Sequence, residues 1–386
     1  MEENDTNILK SSNNVTAEDL GVDEIVYDAI NVDVIGFGAL NVDKLYKVGH
    51  IAEIDGESFI KGEEESPGGS AANTIIGLSK LGCSTSYIGK IADDEEGDLL
   101  EYNLMINDVY LTNLIYADSG NSGKVLGFVS DAGDRALYVD PGVNDEITID
   151  EINPLNVNAC KILHYTSFVG DSFNAQRELL PLLVDKIVLS FDPGMLYAKK
   201  GVGELKEILE RTDILLINEA ELKILFEDYY KEKLNLSDDD SLSFRDLAVY
   251  VRNDGIDTVV VKRGSVGAYA INKKDEEVKI PAFECDAVDT TAAGDSFNAG
   301  FLYSYLKGYD LAKSCTIANW VASKSVQAIG ISGLPNLEEL EEFTQSLWKK
   351  LFNKNYLINS FNKNYLVNSL IKIIDIKNYL NYLKDI

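Results

Sequence analysis

Histidine is scarce in this 386-residue chain, which contains only His50 and His164. A histidine-based catalytic triad or a multi-histidine metal centre is therefore nearly excluded. The four cysteines lie far apart without paired spacing, which suits a reducing interior and neither a disulfide framework nor a zinc site. These are Cys83, Cys160, Cys285 and Cys315.

Positive charge and long apolar runs are also lacking. The chain has 35 Lys and Arg against 64 Asp and Glu, a formal net charge of −29, which argues against nucleic-acid partners and anionic membrane surfaces. No uninterrupted apolar run is long enough to span a bilayer. The acidic start Met1-Glu-Glu-Asn-Asp5 is not typical of a secretory signal. We therefore expect a cytoplasmic protein that binds neither nucleic acid nor membrane.

What is present is a chain that is 45% hydrophobic, ample for a large core. Residues 1–30 read as an acidic flexible extension, and the body starts with the buried strand Asn31–Gly38. From there strand-like and helix-like segments alternate, which predicts an α/β protein with a parallel sheet covered on both faces. The predicted strands are Ser86–Lys90, Lys161–Tyr165, Lys186–Asp192, Asp213–Asn218 and Thr258–Lys262. The predicted helices are Ser70–Leu81, Gly97–Met105, Asn174–Val184, Glu219–Tyr229 and Phe244–Arg252.

Two stretches break this alternation. Leu45–Lys61 and Lys124–Val139 carry alternating patterns and turn signals, which predict hairpins of a small additional antiparallel sheet. We place that sheet within about 43–66 and 120–141. Such a sheet is either a lid or an oligomerisation surface, and one sheet can do both.

The tail, residues 346–386, is rich in Lys and Asn and contains a tandem nine-residue repeat, Phe352–Ser360 followed by Phe361–Ser369. On a helix of ~3.6 residues per turn the two copies would face opposite sides. We favour a weakly structured appendage, with a helix that docks on the body or on a partner subunit as the alternative.

The most informative segment is Asp289-Thr-Thr-Ala-Ala-Gly-Asp-Ser-Phe-Asn-Ala-Gly-Phe-Leu302. A helix is predicted from about Ala293 to Gly308, and its free N–H groups make its start a ready anion site. Asp295 lies beside that site, where a carboxylate can accept a hydroxyl proton during phosphoryl transfer. An ordinary capped helix would explain one Asp but not the whole arrangement.

Two upstream glycine-containing segments are candidates for substrate binding. Gly68-Gly-Ser-Ala-Ala-Asn73 precedes a helix, and Asn73 offers a donor and an acceptor to a polyol hydroxyl; a plain glycine turn explains it about as well. In Gly36-Phe-Gly-Ala-Leu-Asn41-Val-Asp43, Asn41 occupies the third glycine position of a dinucleotide fingerprint, which disfavours a Rossmann dehydrogenase. Asn41 and Asp43 instead offer a site for vicinal sugar hydroxyls.

Two further motifs have strong structural explanations. Asn218 and Glu221 have the spacing of a capping box, and they also suit a role in organising hydrated magnesium near phosphates. The Lys262-Arg-Gly264-Ser-Val-Gly267 stretch places a lysine beside glycines that can approach a nucleotide phosphate. A plain hairpin gives the same pattern.

The order and spacing of these motifs resemble the ribokinase/PfkB family of carbohydrate kinases. The resemblance covers residues 31–345, with Gly68–Leu81 similar to the N-terminal signature and Asp289–Leu302 similar to the more specific C-terminal one. It implies a ribokinase-like three-layer sandwich, with a mostly parallel central sheet and a small β-sheet lid. It also implies transfer of the γ-phosphoryl of ATP to a primary hydroxyl of a sugar or nucleoside.

The resemblance also assigns roles to residues of this sequence. It implies Asp295 as base, an anion hole from Ala292, Ala293 and Gly294, and acceptor contacts from Asp43, Gly69 and Asn73. Mg²⁺ would be organised by Asn218 and Glu221, a K⁺ ion by Asp289 and Thr291, and ATP contacted by Lys262, Gly264 and Gly267.

Departures from the family pattern and rival functions remain. Ala292 stands where relatives usually have glycine, which a negative φ would tolerate, and Asp192-Pro-Gly194 stands where many sugar kinases have Asn after the proline. The acceptor is open between sugar and nucleoside, for which Phe128 and Phe168 are candidate base contacts, although a core role suits them better. A non-catalytic sugar sensor on the same scaffold, an NAD-dependent oxidoreductase and a homodimer through the lid sheet are the other possibilities.

Overall fold

The computed structural model describes residues 30–237 and 240–347. The predicted acidic extension up to residue 29 and the tandem repeat of the tail lie outside the described residues. The strands are β1 Val32–Phe37, β2 Asn41–Val48, β3 Ile60–Gly68, β4 Thr85–Ile91, β5 Val109–Tyr110, β6 Leu114–Tyr116, β7 Gly123–Ser130, β8 Arg135–Asp140, β9 Cys160–Tyr165, β10 Val188–Phe191, β11 Ile214–Asn218, β12 Thr258–Lys262, β13 Ala268–Asn272 and β14 Glu277–Ile280. The helices are α1 Ser70–Lys80, α2 Glu95–Ile106, α3 Pro154–Val157, α4 Ser172–Leu179, α5 Gly194–Ala198, α6 Gly201–Glu204, α7 Lys206–Arg211, α8 Glu219–Lys233, α9 Phe244–Asn253, α10 Ala293–Leu306 and α11 Leu311–Ser325.

The larger sheet has the strand order β14-β13-β12-β11-β10-β9-β1-β4, with β5 and β6 both paired to β4. Strands β4, β1, β9, β10, β11 and β12 pair in parallel. Strands β13 and β14 extend the sheet antiparallel at one edge. The mostly parallel sheet predicted from the sequence is confirmed.

Both faces of this sheet are buried, which is why its strands are continuous apolar runs. On β12, Val260 packs into one apolar cluster while Val259 and Val261 pack into the other. Residues of α1, α10 and α11 complete the first cluster. Residues of α4, α8 and α9 complete the second. The result is three layers, with helices on both sides of the sheet.

The smaller sheet has the order β3-β2-β7-β8. Its two hairpins are antiparallel as predicted, but they join through a parallel pairing of β2 with β7. Asn41 and Gly123, the first residues of these strands, lie opposite each other, so both strands run in the same direction. The prediction of a wholly antiparallel sheet was therefore wrong for its central pair.

Helices α1 and α10 approach each other closely because residue 77 has no side chain. A Cβ atom built on Gly77 would lie 2.7 Å from the Cβ of Ala299, closer than real contacts allow. Any larger residue at position 77 would push these helices apart. This contact joins the two segments that carry the family signatures.

The described chain ends in a helical segment over residues 337–347. It packs on α11, since Phe343 stacks on Trp320 with ring centroids 4.5 Å apart. Leu347 is buried as well. The helix therefore runs through the boundary at residue 345 that the sequence suggested, because aromatic packing holds it to the body.

The carboxyl ends of β9 to β12 meet at one edge of the larger sheet, where open α/β folds bind ligands. Asp192 follows β10, while Asn218 and Lys262 end β11 and β12 opposite each other. Helix α10 begins at the same edge. Among the described residues, no helix combines the length and apolarity that a membrane crossing requires.

Candidate active site

Asp295 lies in the first turn of α10 and is buried. Its Oδ2 accepts a hydrogen bond from Nδ2 of Asn73 at 2.9 Å, and its carbonyl oxygen accepts one from Oγ1 of Thr74 at 3.3 Å. These contacts join residues more than 220 positions apart. The structure therefore places the two sequence signatures side by side.

Burial raises the pKa of Asp295 to about 7. The negative charge of Asp192 acts in the same direction, while hydrogen bonds from Asn73 and Ser70 and the positive charge of Lys262 act against it. A carboxyl group with a pKa near neutrality is suited to accept a proton and release it again.

The start of α10 has the properties of an anion site. No side chain caps this helix, so N–H groups of its first turn lack the usual acceptors. Ala293 N donates to the carbonyl of Thr290 at 3.2 Å. Ala292 has φ −99°, so its backbone tolerates the methyl group that replaces the expected glycine. Gly294 lies next along the turn.

The predicted acceptor residues lie where the small sheet meets α1. Burial raises the pKa of Asp43 on β2 to about 6. Gly69 precedes α1 with φ 117°, and a Cβ there would lie 2.4 Å from the carbonyl oxygen of Ala39, so only glycine fits. Asn41 is engaged structurally, since its Oδ1 accepts from Nδ2 of the buried Asn144 at 3.0 Å.

Asn218 and Glu221 form the predicted capping box at the start of α8. Asn218 Oδ1 accepts from Glu221 N at 2.9 Å, and Glu221 Oε2 accepts from Asn218 N at 3.0 Å. Burial and the nearby charge of Asp192 raise the pKa of Glu221. Within residues 30–237 and 240–347, no group of three or more His, Cys, Asp or Glu side chains is placed to hold a metal ion.

Asp289 orders the loop before α10. Its Oδ1 accepts from the backbone N and Oγ1 of Thr291 at 3.0 and 2.6 Å, and its Oδ2 accepts from Gly330 N at 2.8 Å. Burial alone would raise the pKa of Asp289, but these hydrogen bonds and the positive charge of Arg135 on β8 lower it. The tip of the small sheet thus reaches the vicinity of this loop.

The three residues predicted to contact ATP have different environments. Lys262 is engaged in an ion pair with Asp192, at 2.5 Å between Nζ and Oδ2. Gly264 is exposed, whereas Gly267 is buried in the turn between β12 and β13, against the carbonyl of Ile280. For Gly267, the turn itself accounts for the glycine.

The sequence profile of the pfkB family carbohydrate kinases matches residues 38–339, most of the chain. This chain belongs to the pfkB family. An uncharacterized sugar kinase of Archaeoglobus fulgidus is 40% identical over 265 residues, covering 67% of this chain and 98% of the relative. An ATP-dependent ribose-1-phosphate kinase of Halopiger xanaduensis is 30% identical over 302 residues, covering 78% of this chain and 94% of the relative.

Among solved structures, a nucleoside kinase of Methanocaldococcus jannaschii, an archaeal member of the ribokinase family, is similar with a TM-score of 0.67 and 27% identity. That match covers 81% of this chain and 98% of the other. The ribokinase-like fold predicted from the motifs is confirmed. This chain is a kinase of the sugar or nucleoside class, and the NAD-dependent oxidoreductase alternative is set aside.

The sequence analysis missed several polar residues that the pfkB fold brings to this site. Asn298, one turn beyond Asp295, donates from Nδ2 to Asp192 Oδ2 at 2.6 Å. Asn144 anchors the start of β2 by accepting from Leu40 N at 3.0 Å and donating to Leu40 O at 2.6 Å. The spacing of Asn298 from Asp295 was a usable signal, whereas the position of Asn144 depends on tertiary packing.

Proposed function

We propose that this protein transfers the γ-phosphoryl of ATP to a primary hydroxyl of a sugar, with Asp295 as the base. The observation that carries the proposal is the buried Asp295 carboxyl at an uncapped helix start, hydrogen-bonded to Asn73. ATP as donor is supported by the ATP-dependent relative that is 30% identical to this chain. Use of ATP and the four free cysteines support a cytoplasmic location.

Asp295 accepts the proton of the acceptor hydroxyl as that oxygen bonds to the γ-phosphorus. The bond from the γ-phosphorus to the oxygen that bridges it to the β-phosphate breaks, and ADP leaves with that electron pair. N–H groups at Ala292 and Gly294 and the positive end of α10 stabilise charge on the moving phosphoryl, and the N–H of Ala293 joins them once its bond to the Thr290 carbonyl opens. No covalent enzyme intermediate is required.

The donor set of the site fits Mg²⁺ bound largely through phosphate. Glu221 uses Oε2 for its cap, so its Oε1 takes no part in the cap, and Mg²⁺ needs only one or two carboxylates besides phosphates and waters. Glu221 and Asn218 would orient the waters of the ion, and the ion would neutralise phosphate charge. Asp289 and Thr291 are the residues that we propose for K⁺, and rates in KCl and choline chloride at equal ionic strength test this.

The acceptor face of the small sheet favours a sugar over a nucleoside. Side chains alternate along β2, so Asp43 and Tyr46 lie on opposite faces, and Phe128 stacks on Tyr46 with centroids 5.4 Å apart. Phe168 is buried in the core, 5.5 Å from Phe37. In the four described lid strands, no aromatic side chain therefore lies on the Asp43 face, where it could contact a base. The larger apolar residues on that face are Leu45, Val125, Val129, Leu137 and Val139.

We also propose that the small sheet contacts a second copy of the chain in a homodimer. Leu137 and Val139 of β8 are exposed, and apolar residues on an exposed sheet commonly mark an interface. Sedimentation equilibrium of the full chain, with and without acceptor, measures whether copies associate. A monomer at all concentrations would rule out the homodimer.

An ATP-coupled assay over pentoses, hexoses, keto-sugar acids, ribose-1-phosphate and nucleosides tests the proposed function. We expect turnover with a sugar, and a loss of about 10²–10⁴-fold in Asp295→Asn because the base is gone. Asp213→Asn, which disrupts an ion pair with Arg211 outside the site, is the matched control and should keep the rate. Saturable sugar binding with no turnover on any acceptor would support the sensor, and equal rates in Asp295→Asn would contradict the mechanism.

A further inference from the structure

A polar cluster lies beneath the start of α10, and the reaction steps described above use none of its members as donor, acceptor or ligand. Asp192 Oδ2 accepts from Lys262 Nζ at 2.5 Å and from Asn298 Nδ2 at 2.6 Å. Lys262 Nζ also donates to Asn298 Oδ1 at 3.3 Å. The three side chains therefore close a triangle of hydrogen bonds that joins β10, β12 and α10.

This cluster touches the anion site directly. A Cβ built on Gly294 would lie 3.5 Å from Lys262 Nζ, so the ammonium group lies beside the first turn of α10. Asn298 lies on the same helix, three residues after Asp295. The ammonium group of Lys262 thus contacts Asp192 and also lies next to the turn that we propose to bind the phosphoryl group.

Both partners of the pair are ionised. Burial alone would raise the pKa of Asp192, but the charge and hydrogen bond of Lys262 lower it. Burial alone would lower the pKa of Lys262, but Asp192 and Glu221 raise it. A buried ion pair adds little net stability compared with apolar residues of similar size, so its position at the active edge calls for a functional explanation.

We propose that Asp192 is a positioning residue that holds the Lys262 ammonium group against the first turn of α10, where the opposed charges of the pair act on the Asp295 carboxylate. The proposal rests on Asp295 being the base of the proposed kinase reaction. In this proposal Lys262 acts through its charge on Asp295 and on the anion site. Any influence of Lys262 on ATP binding is therefore indirect and passes through the first turn of α10.

The groups that face Asp295 fix the sign of the effect. From α1 these are Asn73 and Ser70, from β4 Tyr87, from β10 Asp192 and from β12 Lys262. The buried His164 beside Asp192 is neutral at working pH, because burial lowers its pKa to about 4. Asp192 disfavours the ionised form of Asp295, and Lys262 favours it. Removing the charge of Asp192 must therefore lower the pKa of the base, whereas removing the charge of Lys262 must raise it.

The test measures kcat/KM for the best acceptor against pH in the full chain. Asp192→Asn, which keeps the shape of the side chain, should move the acid limb of the profile to lower pH by roughly one unit. Lys262→Met should move it to higher pH, and the double variant should return it toward the wild-type position. Asp213→Asn removes a carboxylate at the opposite ends of the strands and should leave the limb in place.

Each outcome decides the proposal. If Lys262→Met does not fold, Asp192→Asn decides alone, since a limb that stays at the wild-type pH overturns the assignment. An increase in KM for ATP of about tenfold or more in Lys262→Met, with an unmoved limb, would make Lys262 a direct phosphate ligand and overturn it too. Failure of the underlying kinase mechanism is recognised separately, because Asp295→Asn would then turn over as fast as wild type.

Discussion

At the level of single residues, the Asp295 carboxyl is held in an environment that opposes its own charge. It is buried and lies near Asp192, while Asn73, Ser70 and Lys262 favour its ionised form. The balance leaves its pKa at about 7, which lets one group accept a proton at neutral pH and return it to solvent. The cost of keeping such a group in the folded state is measurable.

Replacement of Asp295 by Asn should stabilise the folded protein above pH 7. A folded-state pKa raised above the unfolded value means that stability is present at low pH and is lost as pH rises toward 7. The advantage of Asp295→Asn should therefore grow between about pH 4 and pH 7 and then stay constant, at about 4 kcal/mol. Urea unfolding of both proteins across this range measures it.

An advantage that is equal at pH 5 and pH 8 would show that Asp295 is not a strained acid in the folded state. Asn73→Ala is a useful comparison, because it removes the hydrogen bond to Asp295 and should raise the pH at which the base ionises. The stability of the folded protein and the pH dependence of catalysis then change for the same reason, which is the altered pKa of Asp295.

Individual site residues were predictable from the sequence where the groups that act together are adjacent in one motif. Asp295 was found because anion-binding turn and carboxylate are adjacent in the chain. The partner of Lys262 was not found, since Asp192 is 70 positions away and meets it only through the sheet. Asn73 was predicted to bind an acceptor hydroxyl, and its bond to Asp295 adds a second contact that follows from the close packing of α1 on α10.

At the level of elements, two helices begin with the same capping chemistry in different places. α8 starts with the box of Asn218 and Glu221 at the active edge. α9 starts with the box of Ser243 and Asp246, which is exposed. A comparison of these two capping boxes can therefore distinguish a purely structural cap from a residue that also helps to bind Mg²⁺.

Glu221→Gln should preserve the cap and weaken the response to Mg²⁺. Glutamine can accept the same N–H bond, so thermal stability should change little, while loss of the carboxylate should raise the Mg²⁺ concentration for half-maximal rate by about 10–100-fold. Ser243→Ala should cost about 1 kcal/mol of stability and leave that concentration unchanged. Unchanged Mg²⁺ dependence in Glu221→Gln would reduce Glu221 to a cap.

Elements with a strong period were predicted closely. The predicted strand Thr258–Lys262 is β12 as observed, and the helix predicted from Ala293 begins at that residue. The parallel pairing of β2 with β7 was not predictable, because hairpin signals report local pairing and the join between hairpins depends on where both strands leave the larger sheet. The helix over residues 337–347 was not predicted, although this stretch is rich in Leu and Glu and has none of the Lys and Asn that characterise the tail.

At the scale of the whole molecule, the site exists because distant segments end at one edge of one sheet. Parallel strands place Asp192, Asn218 and Lys262 together, and the contact between Gly77 and Ala299 brings the upstream signature to the downstream one. The family and the fold were accessible from sequence because both signatures occur in order at the family's spacing. The identity of the acceptor was not accessible from the sequence, because the shape of the pocket arises from the lid and the body together.

The distribution of side chains on the small sheet limits what this sheet can contribute to the site. Its Asp43 face carries Asp43, the ion pair of Lys47 with Glu64, Arg135 and several aliphatic side chains, while its aromatic side chains lie on the other face. In the proposed reaction, Asp43 and α1 would recognise the acceptor hydroxyls, and the small sheet would exclude water over the reacting groups. A sugar acceptor fits this division of labour.

The pH dependence of kcat/KM, measured with the best acceptor at saturating ATP and Mg²⁺, tests the central claim most directly. We predict an acid limb with an apparent pKa of about 7, which is the pKa of Asp295, and residual activity in Asp295→Asn that lacks this limb. A profile that stays flat down to pH 5 in the wild type, or the same limb persisting in Asp295→Asn, would contradict it.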